Sequence, residues 1–369
     1  MRLAIQIPCL NEEQTLPETM RALPRRVEGF DEVVWVVIDD GSTDSTAAVA
    51  AAHGADHVVR LNGHQGLARA YMAGIDACLA LGADVIVNTD ADNQYDARDI
   101  PGIVEPIVAG RADLVVGSRP ISQIEHFSAA KKVLQRVGSW MVRTLSGTRV
   151  EDATSGFRAY SRDAAMRLNI FNSYTGSLET LIQAGRCNLR VACVPIRVNG
   201  PTRPSRLMRS SLHYVRRNGL AMLATYMIYR PVQVFGGLAA MLLLPGAGLA
   251  ARYLWFMLRG EGAGHVQSVI ASGVLAVCGV FMIGLAVLGH LLAINRRLLE
   301  DLRYQQRRSA AVTGQSPVVV RSVDVSGVAS LVAGVGTASG AGSEIARPSP
   351  GIVTEPGSAA PAGWSRSRP

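Results

Sequence analysis

Cysteine is scarce in this chain of 369 residues, and the five cysteines stand far apart without a Cys-x-x-Cys pair. An odd number of isolated cysteines argues against a disulfide framework and against a zinc site. Small buried thiols in a reducing compartment account for this pattern. We also expect no signal peptide, because the first apolar stretch ends early at Asn11, Glu12 and Glu13. That stretch is more typical of a first β-strand running into a polar loop.

Charge is absent from two long segments, residues 231–251 and 262–295. Each is long enough to cross a hydrocarbon core, which needs roughly 20 residues. The alternative is a pair of buried helices in a soluble protein. Arginines cluster before the first segment and after the second, whereas the linker holds only Arg252, Arg259 and Glu261. This bias predicts a hairpin in the inner membrane with both of its ends in the cytoplasm.

These patterns divide the chain into four parts. Residues 1–204 are predicted to form an α/β domain in the cytoplasm. Residues 205–230 combine arginines with apolar positions at helical spacing, which predicts an amphipathic helix at the membrane surface. Residues 231–295 are the predicted transmembrane hairpin. Residues 296–369 begin with basic residues and continue beyond Ser309 as a tail of small residues and prolines that we expect to be mostly disordered.

Apolar runs alternate with helical patterns through the first 120 residues. The runs predict strands at residues 2–8, 32–40, 57–61, 84–90 and 113–119, and the first helix is predicted from about Glu12 to Leu23. Such alternation indicates a doubly wound α/β sheet. Ligands of such sheets lie beyond the carboxyl ends of the strands. Polar clusters follow these ends, at Asn11–Glu12, Asp39–Asp40, Asp90–Asp92 and Ser118–Arg119.

Residues 89–96, Thr-Asp-Ala-Asp-Asn-Gln-Tyr-Asp, gather acidic and amide side chains after the fourth predicted strand. Side chains two apart in an extended chain point to the same side, so Asp90 and Asp92 converge if strand geometry continues through Ala91. Magnesium is commonly held by one or two carboxylates together with substrate phosphates and water. Gln94 could add a ligand or orient a water. The alternative is a solvated turn whose aspartates cap the next helix.

Asp39-Asp40-Gly41-Ser42 follows the second predicted strand. Gly41 permits a tight turn, and a carboxylate there can accept hydrogen bonds from a nucleobase or a ribose hydroxyl. The alternative is helix capping, but Asp44 is the better cap and leaves Asp39 unexplained. Residues 63–70 place glycines before a helix, which is weak evidence for a donor contact. His64 shows no ligand spacing and is interpreted as a surface or packing residue.

Six motifs occur in an order and spacing that resemble family 2 glycosyltransferases with the GT-A fold. They are IPCLNEE, VIDDGSTDST, GLARAYMAG, TDADNQYD, VVGSR and DATSGFRAYSR. More narrowly, the chain resembles dolichol-phosphate and polyprenyl-phosphate mannosyl- and glucosyltransferases over about residues 1–205. The resemblance implies a mostly parallel, Rossmann-like sheet with helices on both faces, an amphipathic interface helix and two transmembrane helices. It also implies transfer of a sugar from a GDP- or UDP-linked donor to a polyprenyl phosphate, dependent on Mg²⁺ or Mn²⁺.

The resemblance carries residue roles over by motif. It implies that the donor is bound by Pro8, Leu10, Glu12, Asp39, Asp90, Ala91 and Gln94. It implies a metal held by Asp90, Asp92 and Gln94, and catalytic roles for Asp92, Arg119 and Asp152. It places Ser155 and Arg158 beside the acceptor. The stretch PTRPSRL, residues 201–207, departs from the Gly-Glu-Ser-Lys-type stretch that such enzymes often carry, and matches it only at Ser205 and Arg206.

The chemistry of a phosphate acceptor calls for cations more than for a base. Its second pKa is near about 6, so it is largely ionised at neutral pH. Arginine suits phosphate through its planar fork. The candidate cations are Arg119, Lys131, Lys132, Arg203 and Arg206. Asp152 could act as the base toward a hydroxyl acceptor, or it could be the structural partner of a nearby arginine.

Two other functions remain open at this point. One is a family 2 enzyme that acts on another lipid or glycan hydroxyl, and the other is a non-catalytic membrane scaffold, which the metal carboxylates argue against. Net charge of +8 alone would fit a nucleic acid, but the arginines cluster at the membrane flanks, so we expect no nucleic-acid partner. A homo-oligomer is compatible with this plan. Uracil and guanine can both be bound by a carboxylate at Asp39.

Overall fold

The structure is a computed structural model that describes part of the chain. The described residues are 1–120, 139–140, 142–144, 146–148, 150, 152–170, 176–200 and 224–313. Four predicted acceptor residues, Lys131, Lys132, Arg203 and Arg206, lie outside the described residues. So do most of the predicted amphipathic segment and the tail beyond residue 313.

Seven strands in the described part of the chain form one mixed sheet, in the order β3-β2-β1-β4-β6-β5-β7. They are β1 (Arg2–Cys9), β2 (Glu32–Asp39), β3 (His57–Arg60), β4 (Val85–Asn88), β5 (Leu114–Ser118), β6 (Arg158–Ser161) and β7 (Val191–Pro195). β6 runs antiparallel to both of its neighbours, and the other pairs are parallel. The prediction of a mostly parallel sheet is confirmed. The five predicted strands are β1 to β5, each within two residues at either end.

Helices cover both faces of this sheet. α1 (Leu16–Ala22), α2 (Thr46–Ala52) and α4 (Ile100–Val108) pack on one face, and α3 (Leu67–Ala80), α5 (Arg162–Arg167) and α6 (Gly176–Arg186) pack on the other. β1 supplies both cores, since Leu3 and Ile5 face the first layer and Ala4 faces the second. Strands covered on both faces need apolar side chains in both directions, which accounts for the nearly continuous apolar runs.

The first helix begins later than predicted, at Leu16 instead of near Glu12. The backbone amide of Asn11 donates to Ser42 Oγ at 2.9 Å, and that of Glu12 donates to Thr46 Oγ1 at 2.8 Å. The chain before Leu16 is therefore a loop tied to the loop after β2. Pro17 fits the first turn of α1, where a helix does not use the backbone N–H that proline lacks.

Two long helices follow, α7 (Pro231–Leu258) and α8 (Val266–Thr313), joined through a short 3₁₀ turn at Gly262–His265. Both are long and apolar enough to cross a membrane, with apolar windows of mean hydropathy 1.9 and 2.4. Those windows are only 11% and 17% buried, unlike the core helices of a soluble protein. The 28 residues of α7 extend over about 42 Å at 1.5 Å per residue, which exceeds a hydrocarbon core of about 30 Å.

The second long helix does not end near residue 295, where the predicted hairpin stops, but continues to Thr313. Its last turns lie against the α/β domain. Arg307 Nη2 lies 2.7 Å from Asp76 Oδ1, and Tyr304 donates its hydroxyl hydrogen to Asp163 Oδ1 at 2.7 Å. The basic segment that precedes the predicted disordered tail is therefore helical, and its polar residues bind α3 and α5.

Candidate active site

The carboxyl ends of β1, β2, β4 and β5 meet at one edge of the sheet. Cys9 pairs with Asp39 where β1 and β2 end, and β6 begins at the same edge with Arg158 opposite Asn88. Because ligands of such sheets bind beyond this edge, the predicted polar clusters and residues 152–158 border a common site.

Asp39 is fully buried at the end of β2 and only one of its oxygens is hydrogen-bonded. Its Oδ1 accepts the backbone N–H of Ser42 at 2.8 Å. Its Oδ2 makes no hydrogen bond to any residue that the structure describes, although Arg60 Nε lies 3.2 Å away. Capping does not explain Asp39, because Asp44 accepts the first backbone N–H of α2 from Thr46 at 3.0 Å. A buried carboxylate oxygen without a donor can accept an N–H or O–H from a ligand.

Asp40, which the sequence analysis gave no role, organises the neighbouring loop. Its carboxylate contacts His64 Nδ1 at 2.8 Å and accepts the backbone N–H groups of Gln65 at 2.8 Å and Gly66 at 2.9 Å. Gly41 has φ of 73°, and a Cβ there would lie 2.4 Å from the carbonyl carbon of Gly63. The two glycines thus allow the two loops to touch. His64 is exposed, as interpreted, but it also serves this contact.

The loop after β4 is held by hydrogen bonds from two other parts of the chain and by one within the loop. Thr19 Oγ1 donates to the carbonyl oxygen of Ala91 at 2.9 Å, and Asp92 Oδ1 accepts the backbone N–H of Gln94 at 3.2 Å. Asn199 donates its backbone N–H to the carbonyl oxygen of Gln94 at 2.9 Å. The last acidic residue of the motif, Asp96, pairs with Arg98 and lies apart from this role. The loop is therefore preorganised around Asp90 and Asp92.

The pKa of Asp90, at this edge of the sheet, is shifted from its ordinary value. Burial raises the pKa of Asp90 to about 6, the charges of Asp92 and Glu12 add to the rise, and Arg119 and Arg158 oppose it. The ionised form of a carboxyl group whose pKa is raised by neighbouring negative charges is stabilised by a nearby cation. In the described part of the chain, no group of three or more His, Cys, Asp or Glu side chains is placed to hold a metal. Asp90 and Asp92 could hold a divalent cation only together with further oxygen ligands.

Arg119 leaves the end of β5 and pairs with Asp152. Burial alone would raise the pKa of Asp152, but the hydrogen bonds and charge of Arg119 outweigh it and hold the pKa below its ordinary value. Such a carboxylate is a poor proton acceptor near neutral pH. The geometry thus favours the structural-partner interpretation of Asp152. Nη1 of Arg119 makes no hydrogen bond within the described residues, so one edge of the guanidinium can receive a phosphate.

Arg158 and Ser155 lie inside the protein, at 1% and 0% exposure. Arg158 donates to the carbonyl oxygens of Ser155 and Ala153, both at 2.8 Å, and to Thr180 Oγ1 at 2.5 Å. This geometry favours a structural role, in which Arg158 holds the loop 152–158, over the predicted contact with an acceptor. Sequence reasoning missed this role, because Thr180 is 22 residues away along the chain.

The predicted donor residues near β1 differ in exposure. Pro8 is buried within β1, Leu10 is half-buried directly after it, and Glu12 is buried and accepts the hydroxyl hydrogen of Thr15 at 2.6 Å. Of these three, Leu10 presents the most side-chain surface at the edge of the sheet.

The residues at this edge of the sheet lie in a region that matches a known protein family. The sequence profile described as Glycosyl transferase family 2 matches residues 4–168, which include most of β1, all of β2 to β6 and all described candidate residues. An uncharacterized glycosyltransferase of Mycobacterium tuberculosis is 33% identical over 216 residues, which are 57% of this chain and 93% of the relative.

Two further relatives have names that state a substrate. An undecaprenyl-phosphate mannosyltransferase of Micrococcus luteus is 32% identical over 206 residues, covering 53% of this chain and 83% of the relative. A polyprenol monophosphomannose synthase of Mycolicibacterium smegmatis is 32% identical over 176 residues, covering 46% of this chain and 65% of the relative.

Proposed function

The chain belongs to glycosyl transferase family 2, and from that premise we propose that it transfers a hexosyl group from a nucleotide-sugar to a polyprenyl phosphate at the membrane surface. One observation above all supports the proposal. Asp90 and Asp92 follow β4 at the same sheet edge as the half-satisfied Asp39 and the Arg119–Asp152 pair. That arrangement offers a contact for a nucleotide base, carboxylates for a metal and a cation for a phosphate.

Asp39 would bind the donor base. Its buried Oδ2 accepts no hydrogen bond from the described residues and would accept one N–H from the ligand, which uracil and guanine both supply. Asp40 would act indirectly, by holding residues 64–66 next to the turn at Gly41. Pro8, Leu10 and Glu12 would border the same nucleotide.

Asp90 and Asp92, with Gln94 beside them, would hold Mg²⁺ or Mn²⁺ between the protein and the donor diphosphate. The two carboxylates are too few for a protein-only cage, which fits a metal that completes its shell with phosphate oxygens. When bound, such a cation stabilises the charge that develops on the leaving diphosphate. The charge of Asp92, which raises the pKa of Asp90 in the metal-free protein, would then be balanced.

Arg119 would bind the acceptor or the reacting phosphates through its Nη1 edge. A phosphate oxygen of the acceptor would form a bond to the anomeric carbon, and the bond from that carbon to the diphosphate would break. No proton has to leave an ionised phosphate, so the low pKa of Asp152 is no obstacle. The two relatives named for polyprenyl phosphates and the two long apolar helices support a lipid acceptor.

The test is an assay of the purified full-length protein with a panel of radiolabelled nucleotide-sugars and with polyprenyl phosphate or free polyprenol as acceptor. We expect label in the lipid extract only with the phosphate, in a product that mild acid cleaves. Asp92→Asn should give none, while Glu105→Gln, an exposed carboxylate on α4, should retain activity. Efficient transfer to the alcohol would replace this proposal with a hydroxyl-directed enzyme that uses a base.

A further inference from the structure

A cavity of about 640 Å³ lies between the end of α6 and the part of α8 that follows residue 296. It is on the sheet face covered by α3, α5 and α6, and no residue assigned to the donor, the metal or the acceptor lines it. Its wall includes Arg186, Arg230 and Arg297, together with Tyr229 and Asn188. The cavity is therefore separate from the candidate active site.

The lining carries an excess of positive charge. Two of its charged residues have partners, since Arg167 lies 2.8 Å from Asp163 and Glu300 lies 2.8 Å from Arg296. Three other arginines of the lining, and one other acidic residue, form no ion pair with any residue that the structure describes. The arginines are Arg186, Arg230 and Arg297, and the acidic residue is Asp301. Like charges around one cavity are stabilised when an anion enters it.

The guanidinium of Arg186 lies in an electrostatically unfavourable environment. Arg186 is half-buried, and its guanidinium lies 5.2 Å from the centre of the Tyr229 ring. Burial lowers the pKa of Arg186 below its ordinary value, and the charge of Arg297 lowers it further. A guanidinium stays protonated in proteins, so the unfavourable energy is relieved by a counter-ion and not by loss of the proton.

The positions of two of these arginines next to the apolar helices indicate the kind of anion. Arg230 directly precedes α7, and Arg297 follows the apolar part of α8, so both mark the ends of the hairpin that adjoin the α/β domain. Phosphate groups are abundant at such a boundary, and the planar fork of arginine matches their oxygens. We propose that Arg186, Arg230 and Arg297 together bind a phosphate group in this cavity, supplied by an anionic lipid headgroup or as free phosphate.

The test measures thermal unfolding of the full-length protein in a neutral detergent at constant ionic strength. Phosphatidylglycerol, phosphatidylcholine or inorganic phosphate is added, each to a separate sample. We expect at least one of the two anionic additions to raise the unfolding midpoint by roughly 2–4 °C. A rise with phosphatidylglycerol alone identifies a lipid headgroup, and a rise with inorganic phosphate as well identifies a site for the phosphate group itself. Phosphatidylcholine, which has no net charge, should have little effect.

The variants assign the effect to the cavity. Arg186→Gln with Arg297→Gln should abolish the rise, whereas Arg21→Gln with Arg26→Gln removes the same charge from an exposed surface and should retain it. Because replacement of half-buried Arg186 can itself impair folding, the exposed Arg230→Gln and Arg297→Gln are also measured singly. Each should reduce the rise. No rise in the wild type, or an equal rise in all variants, would overturn the proposal.

Discussion

Arg119 and Asp152 form an ion pair with two contacts, from Nε to Oδ2 at 2.6 Å and from Nη2 to Oδ1 at 3.0 Å. Thr154 completes the arrangement, because its Oγ1 accepts from Arg119 Nη2 at 2.8 Å and donates to Asp152 Oδ1 at 2.9 Å. The carboxylate is almost wholly buried, with 1% of its side chain exposed. Asp152 thus fixes the guanidinium at the end of β5, within electrostatic reach of Asp90. It is a positioning residue for Arg119.

We expect Asp152→Asn to lower the stability of the protein by about 3 kcal/mol, because it leaves a buried arginine without its counter-ion. The folded pKa of Asp152 is below the unfolded value of about 3.9, so its stabilising contribution is fully present above that pH. It is lost as the pH falls through the folded pKa. Thermal midpoints of wild type and variant should therefore differ near neutrality and converge in acid below about pH 4.

The control for that pair is Asp31→Asn, which removes a carboxylate that is 91% exposed and paired with the N-terminal amine. Exposed pairs contribute little to stability, so its midpoint should match the wild type at pH 7. If Asp152→Asn were equally silent at pH 7, the pair would not hold Arg119 in the way that the geometry indicates.

The metal proposal makes a prediction that does not depend on turnover. We expect Asp92→Asn to weaken Mn²⁺ binding in the presence of UDP or GDP by at least roughly 10–100-fold, as titrated by electron paramagnetic resonance. Glu105→Gln removes an equal charge from an exposed position on α4 and should leave the affinity unchanged. Unaltered Mn²⁺ affinity in Asp92→Asn, together with full activity of the wild type in excess EDTA, would exclude this site.

Gly41 and Gly63 allow a matched comparison at the donor loops. Both have positive φ, 73° and 75°, so alanine costs similar backbone energy, about 1–2 kcal/mol, at either position. A Cβ at Gly41 would lie 2.4 Å from the backbone of Gly63, whereas a Cβ at Gly63 meets nothing within 4 Å. We expect Gly41→Ala to be the less stable variant by a further 1–3 kcal/mol, roughly the cost of overpacking. It should also bind nucleotide more weakly. Equal thermal midpoints would show that the loops separate without cost.

The strands could be predicted from the sequence where local patterns decide the structure. β1 to β5 are apolar runs followed by polar clusters, and a buried parallel strand needs just such a run. β6 was not predicted, because Arg158–Ser161 is short and its antiparallel pairing depends on β4 and β5. Asp40 was missed for a similar reason, since its partners at residues 64–66 come from another loop. Long-range contacts of this kind leave no periodic signal.

The boundary of α8 shows the same limit of local patterns. Its apolar run ends before Arg296, and the predicted transmembrane hairpin ends there too. The helix continues because its next turns meet acidic side chains of α3 and α6 and a carbonyl group of α5, which lie more than 100 residues earlier. The cavity between α6 and α8 depends on this continuation and could not be predicted from the sequence either.

We expect the contacts of Arg307 to stabilise the packing of the end of α8 against the α/β domain. Arg307 pairs with Asp76 and donates to the carbonyl oxygens of Leu168 at 2.6 Å and Met166 at 3.2 Å. We expect Arg307→Ala to lower stability by about 1.5–3 kcal/mol, the usual range for a hydrogen bond to a charged group. Amide exchange in residues 297–313 should become faster. Arg308→Ala, at an exposed neighbouring position with no ion pair among the described residues, should change neither quantity.

The membrane topology can be predicted from the contacts of α8 together with the arginine bias. Because Tyr304 and Arg307 touch α5 and α3, the end of α8 must lie on the same side of a membrane as the α/β domain. If α7 and α8 both cross, the turn at Gly260–Glu261 then lies on the opposite side. Arginines are concentrated at the domain side of both helices, which predicts that this side faces the cytoplasm.

A membrane-impermeant maleimide tests this arrangement in intact cells. The background replaces Cys187, Cys193 and Cys278, which are the native cysteines that are not buried. We expect Glu261→Cys to be labelled from outside, and Arg308→Cys to be labelled only after the cells are opened. Both positions are exposed, so a failure to react reports the membrane and not burial. Labelling of both positions from the same side would mean that the helices do not form a transmembrane hairpin. The contacts of α8 with the α/β domain would then belong to a helix pair lying on the surface of the bilayer.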